Sequence, residues 1–387
     1  MRKARKLMIV AGEASGDGHA AKLVRALRDA QAGVDVEFFG AAGPKMREAG
    51  VEAVVRSDNL SVVGLVEIAG ALPMFIRALK DLKRAAEQRR PDAVILVDLP
   101  DFNLKLAKAL KKKGFTVIYY ISPQLWAWRK YRITSIKRYV DLLITILPFE
   151  KDWYNERGVE HVEYVGSPLA REVHANTAKP DLCSEFGLNP ERPIVALLPG
   201  SRHKEITRIL PVMIKAAKAV SAKNTAIQFV VAAADESNSA DIKRVLDAAS
   251  HSPGNIKLVA SRTYDVLAAS DAAAVTSGTA TLEAGIIGTP MVVVYKTSKA
   301  NYNLFEPLIN VPHYGLINLI AGSRVAKELI QDQFTPDSLA AELLRLLLPA
   351  ENTAMRRELA AASEKLGHGG ASKRAAELIL ATIGEAA

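Results

Sequence analysis

Two segments in the second half of the chain carry the residue types of an anion site: residues 197–206 (LLPGSRHKEI) and 275–290 (VTSGTATLEAGIIGTP). Each begins where an apolar, strand-like run gives way to small, hydroxylated and glycine residues and then to a helical pattern. That order leaves backbone N–H groups exposed at the positive end of a helix, where phosphate is attracted. In the first segment Gly200 and Ser201 supply the turn, and Arg202 adds a planar guanidinium that can grip two phosphate oxygens. In the second, Thr276, Ser277, Gly278 and Thr279 form the turn, and Glu283 stands one helical turn further on, where a carboxylate can accept ribose hydroxyls. Neither segment is a GxxxxGK[ST] phosphate loop. Together they read as the seat of a nucleoside diphosphate.

A different chemistry sits in the first half. Asp98 ends the apolar run 93–97, and a carboxylate at a strand end can take a proton from a hydroxyl nucleophile, with burial raising its pKa toward a useful value. The competing role for Asp98 and Asp101 is to cap the next helix; one cap is enough, so Asp101, beside Phe102, takes the cap and Asp98 the base. The loop 12–19 (GEASGDGH) follows the first strand. Its glycines do not follow GxGxxG, and Glu13 and Asp17 would repel a pyrophosphate. It reads either as a tight turn capped by Ser15 or as a polar cradle for sugar hydroxyls made by Glu13, Ser15, Gly16 and Asp17, with His19 as a base near neutral pH. Trp126 and Trp128 lie beside Arg129, Lys130 and Arg132, a pairing of indoles and cations suited to lipid head groups, with core packing of one indole as the alternative. The apolar stretch 62–76, with Val62, Val63 and Val66, reads as a surface for membrane or acyl chains or as a buried segment.

Elements must hold these residues in place, and the chain supplies a regular series of them. Strand-like runs at 7–11, 37–40, 93–97, 116–121, 142–146 and 162–165 alternate with helical patterns. After a polar, proline-containing break at 166–180 a second series follows at 194–198, 227–232, 256–259, 272–275 and 291–294. The expected fold class is α/β: two Rossmann-like parallel-sheet domains facing a cleft, with ligands beyond the carboxyl ends of the strands. Residues 1–172 form the acceptor and membrane-facing domain and 173–352 the donor domain. The alanine- and leucine-rich tail, 353–387, is helical and is expected to pack back on the first domain. At 387 residues and 49% hydrophobic composition the chain can fill two cores.

Bulk properties narrow the partners. The net charge is +9, and residues 1–150 hold 26 Lys and Arg against 16 Asp and Glu, the remainder 25 against 26. The excess in the first half suits an anionic membrane surface or an acidic substrate. A nucleic-acid role needs aromatics interleaved with basic residues, which only the Trp126 region offers, so no nucleic-acid partner is expected. A single cysteine, Cys183, excludes an intramolecular disulfide and a Cys-based zinc site, and no HExxH or strand-end DxD occurs, so no metal is expected. No GxSxG elbow is present. No apolar run reaches the roughly 18 residues of a spanning helix, and no apolar signal region follows the basic start, which predicts a cytoplasmic, at most peripheral, protein.

Taken in order, GEASGD (12–17), AGPKM (42–46), VDLPDFN (97–103), SPQLWAWR (122–129), LPFEK (147–151), LLPGSR (197–202), SGTATLE (277–283) and NLIAG (318–322) resemble the bacterial lipid A disaccharide synthase family over essentially the whole chain. The resemblance implies the two-domain glycosyltransferase B architecture and a metal-independent enzyme at the cytoplasmic face of the inner membrane, for which a homodimer is one admissible state. It implies transfer from UDP-2,3-diacylglucosamine to 2,3-diacylglucosamine 1-phosphate (lipid X), giving a β(1→6) disaccharide and UDP. By the same resemblance Asp98 matches the family's general base, Arg202 and Glu283 its UDP residues, and Asn318 a functionally important asparagine placed with them. A UDP-GlcNAc 2-epimerase and a peptidoglycan-precursor glycosyltransferase share that architecture and are the alternatives.

Overall fold

A computed structural model describes residues 5–30, 35–57, 68–249, 255–305 and 311–385. Val62, Val63 and Val66 lie outside the described residues. The chain divides into two compact units, Met1–Pro168 together with His368–Ala387, and Leu169–Gly367. The sequence reading places these boundaries at 172/173 and 352/353.

The first unit holds a seven-stranded sheet: β1 (Arg5–Ala11), β2 (Val36–Ala42), β3 (Glu52–Arg56), β4 (Ala93–Val97), β5 (Val117–Tyr120), β6 (Leu142–Thr145) and β7 (Val162–Tyr164), in the order β3-β2-β1-β4-β5-β6-β7. Every pairing is parallel. Residues Leu7, Ile9 and Ala11 of β1 face one core, shared with Leu23, Val24 and Leu27 of the helix Ala14–Ala30. Met8 and Val10 face the other, shared with Leu82 of the helix Ile68–Arg89 and with Leu106 and Leu110 of the helix Pro100–Lys111. A strand covered on both faces has no polar position, which is why these runs are uniformly apolar.

The second unit holds six parallel strands: β8 (Ile194–Leu198), β9 (Gln228–Ala233), β10 (Ile256–Ala260), β11 (Ala272–Thr276), β12 (Met291–Tyr295) and β13 (Glu328–Ile330), in the order β10-β9-β8-β11-β12-β13. The helix His203–Lys223 packs with Glu236–Ala248 and Pro336–Leu346, and the helix Thr279–Ile287 with Thr263–Ala269, Leu316–Ala321 and Pro349–Glu364. Two strands escape the sequence reading. β3 and β13 are edge strands, and their glutamates and arginine break the apolar pattern.

The tail divides between the units. The helix Pro349–Glu364 stays with the second unit, whereas Ala371–Glu385 lies on the first, against Ala14–Ala30. Ala371, Ala375, Ala376, Ile379 and Ile383 enter the same core as β1, and the Arg374 guanidinium donates to the Val165 carbonyl through Nε at 2.7 Å. Because Ile379 is fully buried, Ile379→Ala is expected to destabilise the first unit by about 2–5 kcal/mol. Chemical denaturation followed separately in the two units would register the loss only in the first.

Candidate active site

In each sheet the strand order reverses once, between β1 and β4 and between β8 and β11. Ligands of doubly wound sheets bind at that reversal, beyond the carboxyl ends of the two strands. Asp98 and the loop from Gly12 follow β4 and β1; the turns at Gly200 and Ser277 follow β8 and β11.

In the first unit, β1 and β4 end in register at Ala11 and Val97. Asp98 and Leu99 then take left-handed conformations, φ 49° and 46°, a strain of about 1–3 kcal/mol per residue. The Asp98 carbonyl accepts from Tyr119 Oη at 2.5 Å and Asn103 Nδ2 at 2.7 Å. Burial, and after it the negative charge of Glu13, push the Asp98 carboxyl up to about 6. Neither aspartate caps the following helix. Leu99 occupies the cap without a side-chain bond, and Pro100 starts the helix, so Asp101 is already inside it, paired with Arg129 at 3.0 Å and with Arg132.

The loop after β1 lies against Asp98. A Cβ on Gly16 would stand 3.9 Å from Asp98 Cβ, and one on Gly12 would strike Leu99 Cδ2 at 2.2 Å, so any other residue at position 12 would displace the Leu99 side chain. Ser15 is not an N-cap: the helix already begins at Ala14, and Ser15 is exposed in its first turn. Nor is Asp17 free for a sugar. It is 3% exposed, and its carboxylate accepts from the backbone N–H groups of Gly43 (2.9 Å), Lys45 (2.8 Å) and Met46 (3.2 Å), capping the short helix Pro44–Glu48. Glu13 is exposed and His19 half-buried.

The two tryptophans part company. Trp126 is 6% exposed, and its indole N–H donates to Glu150 at 3.0 Å, so it is a core residue and not a membrane contact. Glu150 is itself buried, which raises its pKa, and it also takes Ser122 Oγ (2.8 Å) and the N–H of Leu147 (3.1 Å). Trp128 is 39% exposed under the Arg129 guanidinium, 4.2 Å from the ring centroid. Leu72, Ile76 and Tyr131 are also exposed, and no helix among the described residues is long and apolar enough to cross a membrane.

In the second unit, Gly200 has φ 102°, closed to other residues, and Arg202 is the N-cap of His203–Lys223 with its side chain 81% exposed. Glu205 reaches back over this turn: its carboxylate accepts from Ser201 N at 3.3 Å and pairs with Arg202 at 3.0 Å. A carboxylate of the chain itself thus occupies part of the turn. After β11, the Thr276 hydroxyl is spent on the Leu198 carbonyl (2.8 Å), tying the two strand ends, and Ser277 Oγ donates to Tyr314 O (2.7 Å). Gly278 is the N-cap of Thr279–Ile287, and Gly278 and Thr279 are exposed. Glu283 is half-buried with its pKa raised by burial; its hydrogen-bond partner is the Tyr264 hydroxyl, pushed up to about 12 by burial and then by Glu283.

Asn318 cannot touch a nucleotide. It is fully buried, its Nδ2 donates to Ala326 O (2.7 Å) and Glu328 (3.0 Å), and its Oδ1 accepts from Ala326 N (2.8 Å). Glu328 also accepts from the N–H groups of Tyr314 and Gly315. Asn318 thus shapes the segment to which Ser277 is tied. Among the described residues no group of three or more His, Cys, Asp or Glu is placed to hold a metal ion.

The model of the lipid-A-disaccharide synthetase family matches residues 7–383. The chain belongs to this family. It is therefore a glycosyltransferase, and its similarity to individual family members is as extensive. It is 43% identical to the lipid-A-disaccharide synthase of Syntrophus aciditrophicus over 97% of both chains, and 44% identical to that of Myxococcus xanthus, again over 97% of each. Solved structures share the fold at low identity. The calicheamicin glycosyltransferase CalG4 superposes with a TM-score of 0.60 at 18% identity over 100% of both chains. The UDP-GlcNAc 2-epimerase from Neisseria meningitidis, bound to UDP-GlcNAc, superposes with a TM-score of 0.63 at 14% identity over 97% of this chain and 99% of that one. The fold is thus that of the glycosyltransferase B enzymes.

Sequence reasoning misses Tyr119, Tyr264 and Glu328, each of which works on a partner distant in sequence and stands in no turn after a strand, and it gives no role to Glu205, although that residue lies in the first anion segment. The corrected place of Trp126 is testable. Trp126→Phe leaves Glu150 one donor short and is expected to cost about 1–3 kcal/mol of stability, while binding to anionic vesicles in a flotation assay stays at the wild-type level.

Proposed function

We propose that the chain transfers 2,3-diacylglucosamine from its UDP derivative to the 6-hydroxyl of 2,3-diacylglucosamine 1-phosphate, with inversion, giving the β(1→6) disaccharide 1-phosphate and UDP. Asp98 removes the proton of the attacking hydroxyl. The leaving UDP develops negative charge, which Arg202 and the helix ends at Arg202 and Gly278 stabilise. Preorganised donors of this kind supply several kcal/mol, so no metal ion is assigned to the step. The acceptor falls to the first unit and the donor's UDP to the second. The observation that carries the reading is the carboxyl of Asp98 at the reversal point of the first sheet, raised to about 6. A base so tuned is mostly ionised at neutral pH while keeping more basicity than an ordinary carboxylate.

Lipid-linked substrates reside in a membrane, and we assign the protein to the cytoplasmic face of the inner membrane. The exposed Leu72, Ile76, Trp128 and Tyr131 and the basic excess of the first 150 residues support that assignment.

Incubating the protein with UDP-diacylglucosamine and diacylglucosamine 1-phosphate, with and without EDTA, and weighing the products by mass spectrometry tests the whole reading. Disaccharide 1-phosphate at equal rates in both arms is expected. UDP-GlcNAc supplied alone should return unchanged; an epimer would move the chain to the rival activity. Asp98→Asn should abolish turnover and leave UDP affinity at the wild-type level, and retention of a substantial rate would remove Asp98 from its role.

The pH dependence has a definite sign. Only ionised Asp98 accepts a proton, so kcat/KM should rise with pH through an apparent pKa near 6 and level off above it. Glu13 contributes to the upward shift, so Glu13→Gln should move this acid limb to lower pH in a kcat/KM profile.

A further inference from the structure

The turn that carries Asp98 is strained, and two buried side chains hold it. Asp98 and Leu99 are consecutive non-glycine residues with φ 49° and 46°. Aspartate enters this region with some ease, but leucine does not. Glycine would relieve position 99, yet the leucine side chain fills the space over Gly12. The turn therefore needs external support, and it comes from Asn103 and Tyr119, both fully buried. Asn103 Nδ2 donates to the carbonyls of Val97 (3.2 Å) and Asp98 (2.7 Å), and Tyr119 Oη donates to the Asp98 carbonyl at 2.5 Å.

The amide of Asn103 has a cost that stability alone does not explain. Both Nδ2 contacts are carbonyl acceptors, so the orientation of the amide is fixed. Its Oδ1 is then buried with no hydrogen-bond partner among the described residues. A buried orphan acceptor destabilises, and an apolar side chain of similar shape would remove it. Breaches of local design rules of this kind concentrate at functional sites.

We propose that Asn103 and Tyr119 are positioning residues for glycosyl transfer: by clamping the Asp98 carbonyl they hold the left-handed turn that aims the Asp98 carboxylate. The inference rests on Asp98 being the base. Released from the clamp, residue 98 relaxes to an ordinary backbone conformation, and its carboxylate swings away from the acceptor hydroxyl toward water. The geometry of attack and the desolvation of the base are then lost together.

The experiment compares Asn103→Leu, Tyr119→Phe and Asp98→Asn in the UDP-diacylglucosamine and diacylglucosamine 1-phosphate assay, with full kcat/KM–pH profiles and thermal melts. The clamp predicts that kcat falls by about 10- to 100-fold in the first two variants, with KM for the UDP-sugar near wild type. Their acid limb moves to lower pH as the carboxylate becomes hydrated, and the thermal melts establish that each variant assayed is folded. If Asn103→Leu does not fold, Tyr119→Phe, which removes a single oxygen, decides alone. Wild-type kcat and an unmoved acid limb in the folded variants, with Asp98→Asn inactive, overturn the clamp and leave the base assignment standing. A wild-type rate in Asp98→Asn removes the base, and the clamp with it.

Discussion

In a parallel sheet each strand-to-strand crossover is right-handed, so the direction in which the chain moves across the sheet decides which face its helix covers. When that direction reverses, the helices after two neighbouring strands depart to opposite faces, and the ends of those strands are left uncovered. The first sheet reverses between β1 and β4. The helix Ala14–Ala30 goes to the core of Leu7 and Ile9, and Pro100–Lys111 to that of Met8 and Val10. In the second, the helices after β8 and β11 keep different company. Everything proposed about chemistry stands on these two uncovered places.

They are equipped in opposite senses. The first presents carboxylates, Asp98 with its pKa raised and Glu13 nearby; the second presents the N–H groups of two helix ends and Arg202. Both use backbone conformations that ordinary residues avoid. At Gly200 and Gly278 a glycine absorbs the unusual φ at no steric cost. At Asp98 and Leu99 side chains are needed, and strain is tolerated because Asn103, Tyr119 and Gly12 over-determine the turn.

The sequence reveals most of this architecture because doubly covered strands are unbroken apolar runs: β8 and β11 are five buried residues each. The edge strands β3 and β13 carry charged residues that interrupt such a run, and they pass unnoticed. Positions after strands single out Asp98, Arg202 and Glu283, which follow the strands that flank the reversal points. What spacing cannot convey is whether a polar side chain already has an internal task. Asp17 caps a helix 26 residues away, Trp126 serves a glutamate 24 residues away, and Asn318 binds Glu328 ten residues on. Each has the residue type of a ligand contact and the surroundings of a structural tie. For Asn318 the bonds to Ala326 and Glu328 describe a structural tie.

The helix Ala371–Glu385 completes the core of a unit whose other residues precede it by some two hundred positions. During synthesis the whole of Leu169–Gly367 is made before that helix, so most of the second unit is available to fold while the face of β1 that awaits Ile379 is still open. The usual order, in which the domain made first is finished first, is inverted. The half of the molecule that carries Asp98 can reach its final form only after residues 371–385 have been made, and until then the apolar face that receives Ile379 has no cover from this helix.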